Sequence, residues 1–235
     1  MHKAGQLEPF PSSLRPTKAM THETSLPHPH PLRSRAVAAI GPLLALTGTL
    51  FASTAAHSEP QSVYTNIDKS CRTVSDRGGA QNEPETVRQI CGGKGGFVVV
   101  VSEDDLRQTV SIGRSARQAE REPAAKQSFG PFNSSGPTLE WRIGDNGRPY
   151  ATIQRWHIAD NSDPGPDGRP RTVPLLVVTR LSPACHVAYV DARANQLPNE
   201  LARDLADRLA PGFDCAKDKI ATEGTKGRAL QLAQP

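Results

Sequence analysis

Every cysteine of the chain lies downstream of one short apolar run, and that order restricts the fold more than any other feature. Residues 36–52 read AVAAIGPLLALTGTLFA, with Arg33 and Arg35 before them and Ser53, Thr54, Ala55 and Ala56 after them. A basic flank, an apolar core and a small-residue exit are the parts of a secretory signal peptide. The run is broken by Gly41, Pro42 and Gly48 and falls short of the ~20 apolar residues of a comfortable membrane span. Cleavage is expected after Ala56 or Ser58, leaving no stable membrane span; an uncleaved anchor is the alternative. Met20 offers a second start that shortens the stretch ahead of the run. Cys71, Cys91, Cys185 and Cys215 then belong to an exported chain, where an even count implies disulfides. Four cysteines allow three pairings, and the local one, Cys71–Cys91 with Cys185–Cys215, closes the shortest loops. No C-x-x-C and no histidine at ligand spacing accompany them, so neither a metal nor another cofactor is expected.

Removing the leader also removes a misleading charge. The 235 residues hold 28 Lys and Arg against 24 Asp and Glu, a formal +4. Five of those bases and two of those acids fall in residues 1–56, which leaves 23 and 22. A net of +1 gives no electrostatic footprint for nucleic acid. The histidine-rich LPHPHPL at residues 26–32 leaves with the same segment, so only His157 and His186 stand well inside the mature chain.

Patterning then places the elements. Strands are expected at 62–67, at the β-branched run 97–101, at 106–112, and in a hairpin over 138–158. Asn146-Gly147 is a strong two-residue turn signal, which pairs Ile143 with Tyr150, Trp141 with Thr152 and Leu139 with Gln154. One hairpin face then carries Leu139, Trp141, Ile143, Tyr150, Thr152 and Trp156; the other carries Glu140, Arg142, Arg155 and His157. Arg155 is expected to pair with Glu140 diagonally across the strands. The tryptophans read as core rather than as a stacking platform. Residues 173–181 form an apolar interior strand and 185–191 its neighbour. At 198–209, leucines at 201, 205 and 209 with Ala202 and Ala206 mark an amphipathic helix, entered through Asn195 as N-cap and Pro198. The stretch 72–90 reads as a loop held by a disulfide, and Gly92–Gly96 as a turn, since a phosphate loop follows a strand and opens a helix. Residues 159–171 read as a loop whose Asp160, Asp163 and Asp167 lack the spacing of a calcium loop. The tail, 217–235, is polar and expected to be disordered.

Together these give an α+β domain over residues 57–216: an antiparallel sheet of about five to seven strands, a C-terminal amphipathic helix packed on it, and two disulfides. No G-x-S-x-G, H-E-x-x-H or phosphate loop in proper context is present, so no catalytic residues are named. His186, His157, Arg142 and Arg155 are the candidate binding residues. The expected role is a non-catalytic periplasmic or secreted domain that binds a protein or an envelope component. The alternative is a small hydrolase using His157 or His186 with a carboxylate.

The segments SVYTNID (62–68), LEWRI (139–143), YATIQRW (150–156), LLVVTRL (175–181) and CHVAYVDARAN (185–195) resemble a group of exported proteobacterial proteins with no assigned activity. The resemblance covers most of the mature chain and implies export, but it transfers no site residues. The long leader and the Asp/Pro-rich stretch at 159–171 depart from it.

Overall fold

Period-two burial organises the structure. In the computed structural model, which describes residues 60–69, 71–76 and 86–233, Leu139 and Trp141 are buried on one face of their strand. Thr152, Trp156 and Ile158 follow on the next strand, and Leu175 and Val177 on the one after. Alternate residues Ala151, Ile153, Leu176 and Val178 form a second apolar cluster on the opposite face. The expected leader lies outside the described residues.

Ten strands form one mixed sheet: β1 (Gln61–Asn66), β2 (Cys71–Asp76), β3 (Thr86–Gly92), β4 (Val98–Asp104), β5 (Arg107–Gly113), β6 (Asn133–Ile143), β7 (Pro149–Pro164), β8 (Pro170–Arg180), β9 (Cys185–Asp191) and β10 (Ala221–Thr222). The expected five to seven antiparallel strands with a prominent C-terminal helix are therefore corrected. The sheet is larger, helices are a minor part, and two pairings, β5 with β6 and β10 with β9, are parallel. Three strands escaped the reading of the pattern. β2 and β3 are polar and lie in the supposed loop at 72–90, where Cys71 and Cys91 face each other across the ladder and are bridged. β10 has two residues and belongs to the supposed tail. The stretch 159–171 is likewise a hairpin, with β7 and β8 running to Pro164 and from Pro170 and the tip closed by Gly165 N–H donating to the Arg169 carbonyl.

The sheet order is β10-β9-β8-β7-β6-β5-β4-β3-β2, with β1 added beside β6. β5 meets β6 at one pair, Arg107 and Asn133, while β1 takes Thr138–Ile143. Between them lie Gly136 and Pro137 at a register shift, where proline has no N–H for a ladder. This fork lets the meander β2–β5 turn over the main sheet, so Val99, Val101, Val110 and Ile112 share one core with Trp141, Trp156 and Leu175. At Gly93 the backbone lies so close to Trp141 that a Cβ would come within 2.7 Å of the indole, which accounts for one glycine of the rich turn without a phosphate.

The hairpin keeps the expected pairs Trp141–Thr152 and Leu139–Gln154, but a shift sets Ile143 opposite Pro149. Tyr150 therefore leaves the tryptophan face and reaches toward the long helix, α2 (Pro198–Leu209), where its hydroxyl meets Asp207 at 2.5 Å. The preceding short helix is α1 (Ala116–Ala119), capped by the Ser115 side chain.

α2 covers the second cluster through Ala202, Leu205 and Ala206, with Leu201 and Leu209 partly buried and Leu197 63% exposed. Small residues at the centre of the stripe bring the helix close enough for its charges to meet the sheet. Arg142 donates two hydrogen bonds to Asp207, at 2.8 and 2.6 Å. Arg203 donates to Glu140 at 2.6 Å, so Glu140 pairs with the helix and not with Arg155. Cys185 and Cys215 are bridged at the end of this layer.

Candidate functional site

The four candidate binding residues do not converge. Arg142 is buried and spends its guanidinium on Asp207, on the Ser62 hydroxyl at 2.6 Å and on the Pro60 carbonyl. Burial opposes its charge, but the hydrogen bonds and charge of Asp207 outweigh that and hold its pKa above the ordinary value. Arg155 makes a long contact of 3.4 Å with Asn199. His157 is half-buried in a recess of about 250 Å³ that Glu103 and Phe132 also line, with no hydrogen bond to either. Burial, aided by the Arg155 charge, lowers its pKa.

His186 sits deepest. A bulge shifts the β8–β9 register between Ala188 and His186. In a regular strand residues three apart face opposite ways; here the bulge leaves His186 and Tyr189 on the same face. Their side chains share a hydrogen bond of 2.8 Å between Nδ1 and the phenol oxygen. Phe129 stacks on the imidazole and Trp156 meets it edge-on. Removal from water pushes the His186 pKa down to about 3 and raises that of Tyr189. Among the described residues no carboxylate hydrogen-bonds to the ring, so they assemble no acid–base pair of the hydrolase alternative at His186.

Tyr189 leads from this buried pair to a pocket. Its ring lines a space of about 520 Å³ together with Ile220, Leu230 and Ala233, with Lys219 and Lys226 also on the wall. Three of those apolar side chains come from 217–233, the segment expected to be disordered. It is ordered instead: β10 pairs with β9, and α3 (Arg228–Leu232) buries Ala229 and Leu230 against the main core.

Polar contacts missed in the sequence fasten that segment. The buried Asp191 carboxylate accepts from the backbone N–H groups of Arg193 and Ala194 and, at 2.9 Å, from that of Ala229. It thus serves the first turn of α3 from another strand, as a capping side chain does. A Cβ at Gly227 would lie 2.6 Å from that carboxylate and 2.7 Å from Ala194, so only glycine admits the approach. Asn195 does not cap α2, which begins after Leu197 without a side-chain cap; it donates to the Thr225 carbonyl and accepts from the Thr225 N–H. Arg228 holds Asp160 through two hydrogen bonds of 2.6 and 2.7 Å. Bonding to Arg228, then to Ser162, keeps the Asp160 carboxyl far below the usual range. Asp163 turns to Arg171, so the aspartates of that hairpin do not converge. Among the described residues no group of three or more His, Cys, Asp and Glu is placed to hold a metal ion.

Replacing Asp191 by alanine is expected to leave three buried or half-buried N–H groups unpartnered, at about 1–3 kcal/mol for each fully buried one. Hydrogen exchange should quicken through residues 220–233 while β6–β8 stay protected. Unchanged exchange at Ala229 would show that Asp191 does not hold α3.

Among the described residues no helix is long and apolar enough to cross a membrane, and both disulfides are formed. The arrangement can enclose an apolar group behind a fastened C-terminal segment. Comparison with known proteins found no matching family model, curated protein or solved structure, so the site stands on its own geometry.

Proposed function

We propose that the chain is an exported, non-catalytic binding domain of the periplasm, and that its ligand is an apolar envelope component held between β9 and α3. The pocket carries this reading. Its volume of about 520 Å³ falls within the usual span for small ligands, and apolar side chains dominate its wall. Tyr189, its aromatic wall, has its hydroxyl engaged by His186. The disulfides and the apolar leader support export, and the resemblance to exported proteobacterial proteins agrees with it.

The neutral dye Nile red tests the pocket without involving charge. Its fluorescence should rise and shift to the blue on mixing with the oxidised chain, and Ala233→Trp, which fills the space, should abolish the change while the far-ultraviolet circular dichroism is kept. A folded Ala233→Trp chain that still gives the full signal, or a wild-type chain that gives none, would sink the proposal.

A further inference from the structure

The apolar lining of the pocket is interrupted by two lysines. Lys219 and Lys226 both line it, both are exposed, and neither makes a hydrogen bond or ion pair among the described residues. Among the described residues no acid lines the pocket. The nearby acids of the same segment are engaged elsewhere: Glu223 with Arg208 at 2.9 Å, Asp214 with Lys217 at 3.0 Å, and Asp218 with the Asp214 N–H. Two lysines thus line an apolar space and, among the described residues, have no acid paired with them. An apolar ligand alone would leave them idle. One with an anionic end satisfies both parts of the wall, its chain against Ile220, Leu230 and Ala233 and its head between the lysines. Thr222 and Gln231 add neutral polar groups to the same lining, suited to a compact head with hydrogen-bonding oxygens.

From this geometry we infer that the ligand is a single-chain amphiphile with a carboxylate head, a free fatty acid. This rests on the pocket being the binding site. A carboxylate is small enough to be shared by two lysines, and a single chain suits a pocket with one apolar wall set. A second copy of the chain, or a phospholipid headgroup, is the competing occupant.

Calorimetric titration of the oxidised chain with dodecanoate, dodecanol and dodecylphosphocholine, dodecanol below its solubility limit and the other two below their micelle concentrations, separates these. Dodecanoate should bind about tenfold more tightly than dodecanol. The double substitution Lys219→Gln with Lys226→Gln should remove that preference while leaving Nile red binding intact. Raised salt should weaken dodecanoate and leave dodecanol unchanged. Equal affinities for dodecanoate and dodecanol overturn the carboxylate assignment but spare the pocket. Equal or tighter binding of dodecylphosphocholine overturns it in favour of a lipid head. A dimer in light scattering that Ala233→Trp dissociates overturns it in favour of a second copy. If Nile red fails as well, the binding reading itself falls.

Discussion

The substitution Cys215→Ser is expected to lower the stability of the domain by about 3–4 kcal/mol, the chain-entropy value for a loop of this length. The bridge joins residues 30 apart and closes over β9, the whole of α2 and the turn that follows. Without it the unfolded chain regains the freedom of that loop, and the native state loses its tie between the first residue of β9 and the run that leaves α2. Phe213, just before the cysteine, stays anchored by its burial and by its carbonyl, which accepts from Arg180. Local order there should therefore outlast the bridge, and the cost should appear as a global loss. Against a typical total of about 5–15 kcal/mol that is a large share. Urea unfolding of Cys215→Ser beside the oxidised wild type measures it, with Cys185→Ser, at a buried position, expected to give at least that shift. Because β10 and α3 are held by β9, Asp191, Asn195 and Asp160 rather than by the bridge, Nile red binding should survive in the fraction that remains folded. A midpoint unchanged from wild type would mean that packing of α2 already restricts the loop and the bridge adds nothing.

What the sequence disclosed about this unit follows physical signal strength. The strand at 185–191 and the helix at 198–209 appear at those bounds because each buries a continuous apolar set. The hairpin pairs Trp141–Thr152 and Leu139–Gln154 followed from alternation. The misplacement of Tyr150 came from one residue of slippage at the turn, which alternation cannot register. β2 and β3 were missed because their partners are each other and β4, and Arg72, Thr73, Arg88 and Gln89 give no apolar period. The pocket was missed for a related reason. KIATEGTKGRALQLA (219–233) is short and mixed, and only its docking against Asp191, Asn195 and Asp160 turns it into a wall. Ile220, Leu230 and Leu232 were the available signal, at spacings too sparse to form a period. Conversely, His186 drew attention because it had no evident partner in the sequence, and its partner proved to be Tyr189, three residues on.

That pair makes the domain sensitive to acid. Unfolded, His186 takes up a proton below about pH 6.5. Folded, it is enclosed by Phe129, Trp156 and Tyr189, with no charge beside it to favour the cation, and desolvation holds protonation off until about pH 3. Between those values the unfolded state binds one more proton than the native state, so stability falls as pH falls. At about 1.4 kcal/mol per unit, moving from pH 7 to 4.5 should remove on the order of 3 kcal/mol through this residue. His157, also lowered, adds to the slope with the same sign, whereas Asp160 acts only as pH drops through and below the ordinary carboxylate range. Isolating the buried residue therefore needs a difference. His186→Phe alone would strand the Tyr189 hydroxyl, so the informative variant is His186→Phe with Tyr189→Phe, which removes both partners of the hydrogen bond and keeps the aromatic cluster. Its stability at pH 7 should lie near wild type, and its loss between pH 7 and 4.5 should be smaller by on the order of 3 kcal/mol. An undiminished slope in urea unfolding of the double variant would place the proton uptake elsewhere and reduce the histidine to an aromatic filler beneath the pocket.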